Sequence, residues 1–82
     1  MNRKEFVKEV SKCKGLSQTK AYRSVNAVMD TIRMALLNGD EVEIGGFGTF
    51  AVVTDLKGER IPVFKAGRAL KNIINISESE EK

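Results

Sequence analysis

The stretch Asn38–Phe50, N-G-D-E-V-E-I-G-G-F-G-T-F, is where the chain changes its periodicity. Before it, apolar residues recur at helical spacing; after Asp40 they alternate as in a strand. Gly39 stands where a helix would close in a left-handed turn, a conformation glycine takes without steric cost. Val42 and Ile44 alternate with Glu41 and Glu43, which predicts a strand with one buried and one wet face. Gly45, Gly46 and Gly48 surround Phe47 where the backbone must bend sharply, and Phe50 returns a second ring toward the core. The stretch therefore predicts the end of a long helix followed by a glycine-closed hairpin with two core phenylalanines.

Working back toward the N-terminus, Asn2 and Glu5 have the spacing of a capping box, with Met1 and Phe6 placed as a hydrophobic staple. Phe6, Val10 and Cys13 form an apolar stripe with Val7 beside it, so Cys13 reads as a small core residue. Lys4, Lys8 and Lys12 line the opposite face, as a solvated row would. Lys14-Gly15 ends this helix, and Ser17 caps a second one with Leu16 set to pack on Ala21. Ala21, Val25, Val28, Ile32 and Ala35 then repeat at intervals of four and three, a coiled-coil-like seam. Tyr22, Met29 and Leu36 widen it every seven residues. So broad an apolar arc in so small a chain predicts a helix that packs on its own copy.

Working forward, Thr49–Thr54 reads as a strand apolar on both faces, and Lys57-Gly58 as a tight reversal into a strand over 59–64. Pro62, the only proline, argues that this strand lies at an edge or a bulge. Gly67 opens a short last helix, with Leu70, Ile73 and Ile74 expected inward and Arg68 and Lys71 outward. Residues 77–82, S-E-S-E-E-K, are expected to form an acidic, unstructured tail.

The 82 residues fit one domain over 1–76, and a chain this short buries only about 60–65% of its unfolded surface. A core shared between two copies is the simplest remedy, because nothing else staples the chain. The single cysteine cannot form an internal bridge. No signal peptide or membrane-length apolar run is visible, so a cytoplasmic location is expected. The absence of histidine removes Ser-His and Cys-His catalysis and any Cys/His metal set. G-G-F-G lacks the spacing of a dinucleotide fingerprint or phosphate loop. Nothing points to an enzyme, a cofactor, a metal or a small-molecule substrate. The formal net charge is +3, but residues 77–82 hold three glutamates and one lysine, which leaves the body at +5. That excess suits a partner made of phosphates.

In this order, two helices, G-F-G-T-F and the ending I-P-V-F-K-A-G-R-A-L-K at 61–71 resemble the HU/IHF family of bacterial histone-like DNA-binding proteins. The similarity covers nearly all of 1–76. It implies an α+β fold: two N-terminal helices, a three-stranded antiparallel sheet and a short C-terminal helix, intertwined as a dimer. It further implies a nucleoid protein that condenses DNA without reading its sequence. On this reading Val25, Val28, Ile32, Ala35, Phe47, Phe50 and Phe64 form the dimer interface.

The sequence departs from the family in the arm. Family members extend a long basic β-arm whose R-N-P-x-T-G tip wedges a proline between base pairs. Here Val53 leads through T-D-L-K-G-E directly to Arg60, with no proline at the tip and with Val53 and Asp55 where basic residues are usual. Ala66 replaces the serine before the last helix. The expected DNA contacts are Arg3, the Gly46 backbone, Arg68 and Lys71, joined by Lys57, Arg60 and Lys65 from their placement. Two functions follow. One is a weak, salt-sensitive, non-specific DNA-binding homodimer with reduced bending. The other is an HU-like structural or interaction protein, a heterodimer partner or a phage or mobile-element product, that binds DNA poorly or not at all.

Overall fold

The computed structural model describes the backbone of residues 1–80 and the side chains of residues 1–76. Its elements run α1 (Arg3–Lys14), α2 (Gln18–Leu37), β1 (Val42–Ile44), β2 (Gly48–Thr54), β3 (Arg60–Ala66) and α3 (Arg68–Glu80). They fall into two compact units, 1–33 and 34–82, with α2 continuous from one into the other.

In the first unit the helix ends follow from local chemistry. The Asn2 side chain accepts from the Glu5 N–H at 2.9 Å, and the Asn2 N–H donates to Glu5 Oε1 at 3.3 Å. Together these complete the capping box. Gly15 closes α1 at φ +63°, and the Leu16 N–H donates to the Ser11 carbonyl at 3.0 Å, as in other glycine-ended helices. Ser17 Oγ accepts from the Lys20 N–H at 3.1 Å and so caps α2. Val7, Ala21 and Val25 are the buried cluster, with Val10 and Leu16 packed against it. Ser11 is buried beside them, its hydroxyl donating to the Lys8 carbonyl at 2.7 Å. That bond satisfies a polar group that would otherwise be costly to bury.

Two expectations for α1 are corrected. Cys13 and Phe6 are exposed rather than buried, and Val7 supplies the apolar contact. The buried line of α1 is therefore Val7 to Ser11, one turn apart, set by where α2 lies and not by the widest apolar stripe.

In the second unit α2 ends in a Schellman motif. Gly39 takes φ +81°, its N–H donates to the Leu36 carbonyl at 3.0 Å, and the Asp40 N–H donates to the Ala35 carbonyl at 2.9 Å. The sheet order is β1-β2-β3, all antiparallel, with Pro62 opposite Val52. As an outer strand, β3 tolerates the proline. Phe50 pairs with Phe64 and Gly48 with Ala66, which puts them on one face; Thr49, Ala51, Val53, Ile61, Val63 and Lys65 share the other. The Phe64 ring lies 4.8 Å from that of Phe50 and 5.3 Å from that of Phe47. Both pairs are tilted, as aromatic quadrupoles prefer.

Gly48 is required by space. A Cβ there would stand 2.5 Å from the Lys65 carbonyl oxygen and 2.6 Å from the Phe64 ring. In contrast, Gly46 is required by its φ of +82°, and a Cβ on it would meet nothing within 4 Å. Only glycine takes that conformation at no steric cost.

Two expectations for α3 are also corrected. Leu70 is half-buried, whereas Ile73 and Ile74 are exposed in the single chain. The helix backbone continues past Ser77 to Glu80, since Ser and Glu are tolerable once a helix is already propagating. The expected tail, 77–82, otherwise lies outside the described residues.

Candidate nucleic-acid interface

Of the seven residues predicted to meet phosphate, Arg3 belongs to the first unit and six to the second. Arg3 opens α1, and its guanidinium donates to the Asn26 side-chain oxygen on α2. In the second unit the hairpin sorts the others into two ends.

Gly46, Lys65, Arg68 and Lys71 gather at one end. The Gly67 N–H donates to the Phe47 carbonyl at 2.8 Å, which ties the glycine turn to the start of α3. Lys65 is the second-last residue of β3, exposed, on the face opposite Phe64. Arg68 is the first residue of α3, and Lys71 lies in its first turn with its N–H donating to the Gly67 carbonyl at 3.1 Å. The residue before the helix is a glycine with no side chain to cap it, and the first turn holds no acidic residue. A helix start with open N–H groups, its positive dipole end and two cations is a place for an anion.

Lys57 and Arg60 lie at the other end. The β2–β3 ladder runs from Gly48↔Ala66 to Thr54↔Arg60, a strand length of roughly 20 Å. Its turn is fixed by Asp55, whose Oδ1 accepts from the Lys57 and Glu59 N–H groups at 2.9 Å each. The Asp55 N–H donates to the Glu59 carbonyl, and the Gly58 N–H to the Asp55 carbonyl. Lys57 and Leu56 are exposed at this tip.

Arg60 is turned to another task. Its guanidinium donates to the Leu36 carbonyl at 2.9 Å and the Leu37 carbonyl at 3.2 Å. A cation thus closes the negative end of α2. Sequence reasoning missed this, because the partners stand 24 and 23 positions away and no spacing rule connects them.

The predicted interface residues divide by burial. Val25 is part of the internal cluster of the first unit, whereas Val28 is 55% exposed. Ile32, Ala35 and Phe50 are half-buried, and Phe47 and Phe64 are 44% and 42% exposed. Among the described residues only Val7, Ala21, Val25 and Ala51 are buried apolar residues, and no large side chain is fully enclosed. Met1, Phe6 and Met29 line an open apolar groove of about 370 Å³ in the first unit. Among the described residues many large apolar side chains are thus left partly exposed in one chain.

No helix among the described residues is long and apolar enough to cross a membrane. Residues 1–59 match the family model described as "Bacterial DNA-binding protein". The chain is 34% identical to the DNA-binding protein HU of Geobacillus stearothermophilus over 89 aligned positions, spanning 90% of this chain and 99% of that protein. Among solved structures, HU from Thermotoga maritima superposes with a TM-score of 0.78 at 36% identity, covering 90% of this chain and 98% of the other. HU of Anabaena, crystallised with DNA, superposes with a TM-score of 0.76 at 27% identity, covering 90% and 97%. The sheet with its glycine turn, the two capped helices and the closing basic helix fit that likeness, and the chain belongs to the HU/IHF family of bacterial histone-like DNA-binding proteins.

Proposed function

We propose that the chain acts as a homodimer that binds DNA through its phosphates, without sequence preference and with little bending, on the nucleoid. The observation that carries the DNA reading is the first turn of α3: Arg68, Lys71 and an uncapped helix start, held beside the Gly46 turn by Gly67. Lys65 and Lys57 add charge along the hairpin, and Arg3 adds it from the helical unit. Arg60 contributes to the fold instead. None of these groups can enter a groove as a recognition helix would, so the phosphates supply the affinity.

Weak bending follows from the length of the hairpin. Only the pairs from Ala51↔Val63 to Thr54↔Arg60 extend past β1, which amounts to about 13 Å of strand. A bend needs protein that follows the DNA around it, and wrapped contacts are what offset the cost of deformation. Support for the dimer comes from the wet apolar surface: Val28, Met29, Phe47 and Phe64 are each 40% or more exposed in one chain, and a second copy would cover them. Residues 1–76 work as one domain in that assembly.

Binding to a short duplex, followed by fluorescence anisotropy across a salt series, tests the reading. With about three to four phosphates neutralised per chain, the slope of log K against log salt for the dimer is about −5 to −7. An affinity that stays level from low to moderate salt contradicts it. Energy transfer between dyes on the duplex ends should change little on binding.

A further inference from the structure

The helical unit carries a second cationic feature, built from residues the duplex-binding reading leaves largely unused. Between α1 and the first turns of α2 lies an open cavity of about 380 Å³, lined by Arg3, Lys4, Val7, Lys8, Gln18 and Tyr22. Lys4 and Lys8 are one turn apart on α1, and Gln18 and Tyr22 are one turn apart on α2, so two matched helix faces form the walls. Buried Val7 makes the apolar floor. Gln18 is the first residue of α2, and the helix dipole adds partial positive charge there.

Charge and shape select the occupant. The lining has three cations and no carboxylate. Among the described residues the ion pairs are Lys12–Glu9 and Arg33–Asp30, so the cations of the groove have no acidic partner. Tyr22 is 55% exposed, its ring open to solvent beside them. An aromatic face within a cationic groove is the arrangement that holds unpaired nucleotides, with bases stacked on the ring and the backbone on the cations. The volume is at the small end for a ligand pocket and fits one unpaired base with its phosphate. A duplex offers it no free base face.

We propose that this groove binds a segment of single-stranded nucleic acid, with phosphodiesters on Lys4, Lys8 and Arg3 and one base stacked on Tyr22. The site is separate from the first turn of α3 and stands or falls independently of duplex binding there.

Tyr22 is the only tyrosine and there is no tryptophan, so the protein's intrinsic emission reports on this groove alone. The whole protein is titrated in dilute salt with a short oligothymidylate and with an abasic oligomer of equal length. Oligothymidylate should quench the emission and the abasic oligomer should not. Lys4→Gln with Lys8→Gln should weaken the quenching about tenfold, as should added salt. Read by anisotropy of a labelled oligothymidylate, Tyr22→Leu should lose about tenfold in affinity and Tyr22→Phe should keep it. The Arg68→Gln, Lys71→Gln pair should leave the emission titration unchanged, whatever it does to duplex affinity. Absent quenching, equal quenching by the abasic oligomer, quenching undiminished in the lysine variant, or full affinity in Tyr22→Leu would each overturn the proposal.

Discussion

At the scale of single residues, two glycines in one turn do different work. Gly48 is pressed between a backbone carbonyl and an aromatic ring, and the carbonyl cannot withdraw without opening the β2–β3 ladder. Gly46 faces open space and is set only by its positive φ. Gly48→Ala should therefore cost about 2–3 kcal/mol through overpacking, a fall in Tm of roughly 10–20 °C in a chain this small. For Gly46→Ala the cost is about 1–2 kcal/mol of backbone strain. Calorimetry of both variants measures these costs, and an unchanged Tm for Gly48→Ala would refute the close approach. The arginines show the same split in role. Arg68 stands at a helix start, whereas Arg60 spends its guanidinium on the Leu36 and Leu37 carbonyls.

At the scale of elements, that split gives a second test. Replacing Arg68 and Lys71 by Gln should reduce the salt slope by about one for each phosphate left without its cation, with the melting temperature nearly unchanged. Arg60→Gln should do the reverse. It should lower stability by about 1 kcal/mol, because two hydrogen bonds from a charged donor at an exposed helix end disappear, and leave the slope where it was. Binding and melting measured on the same samples decide it, and a slope that falls in Arg60→Gln would return that residue to the DNA surface.

The helix ends were legible in the sequence because their chemistry is local. Asn2 with Glu5, Gly15, Ser17 and Gly39 each mark backbone groups satisfied by near neighbours in the chain. The G-F-G-T-F turn and the edge position of Pro62 were legible for the same reason. Burial was less so. Phe6, Cys13, Ile73 and Ile74 lie on apolar stripes, but a stripe says only that a surface wants cover and not which chain supplies it. The Arg60 cap and the Tyr22 groove join residues distant in sequence, and no periodicity marks them. Lys4 and Lys8 read as a solvated row until the second helix places a tyrosine across from them.

At the scale of the whole molecule, the wet apolar surface is the dominant fact. Fully burying an exposed valine or phenylalanine is worth about 1.5–3 kcal/mol, so a side chain already half covered gains roughly half of that, and many of them must be covered together to offset the entropy of bringing two chains together. Val28 tests this at one position. In a single chain Val28→Asp would change little, since the side chain is already more than half exposed. In a dimer joined along α2 it buries an unpaired carboxylate, and the assembly should dissociate or unfold at micromolar concentration.

The most direct measurement is the molar mass of the unaltered protein in solution, by sedimentation equilibrium at micromolar concentration with its helical circular dichroism recorded alongside. A completed core shared between copies predicts twice the mass of one chain. A folded species with the mass of a single chain would contradict it.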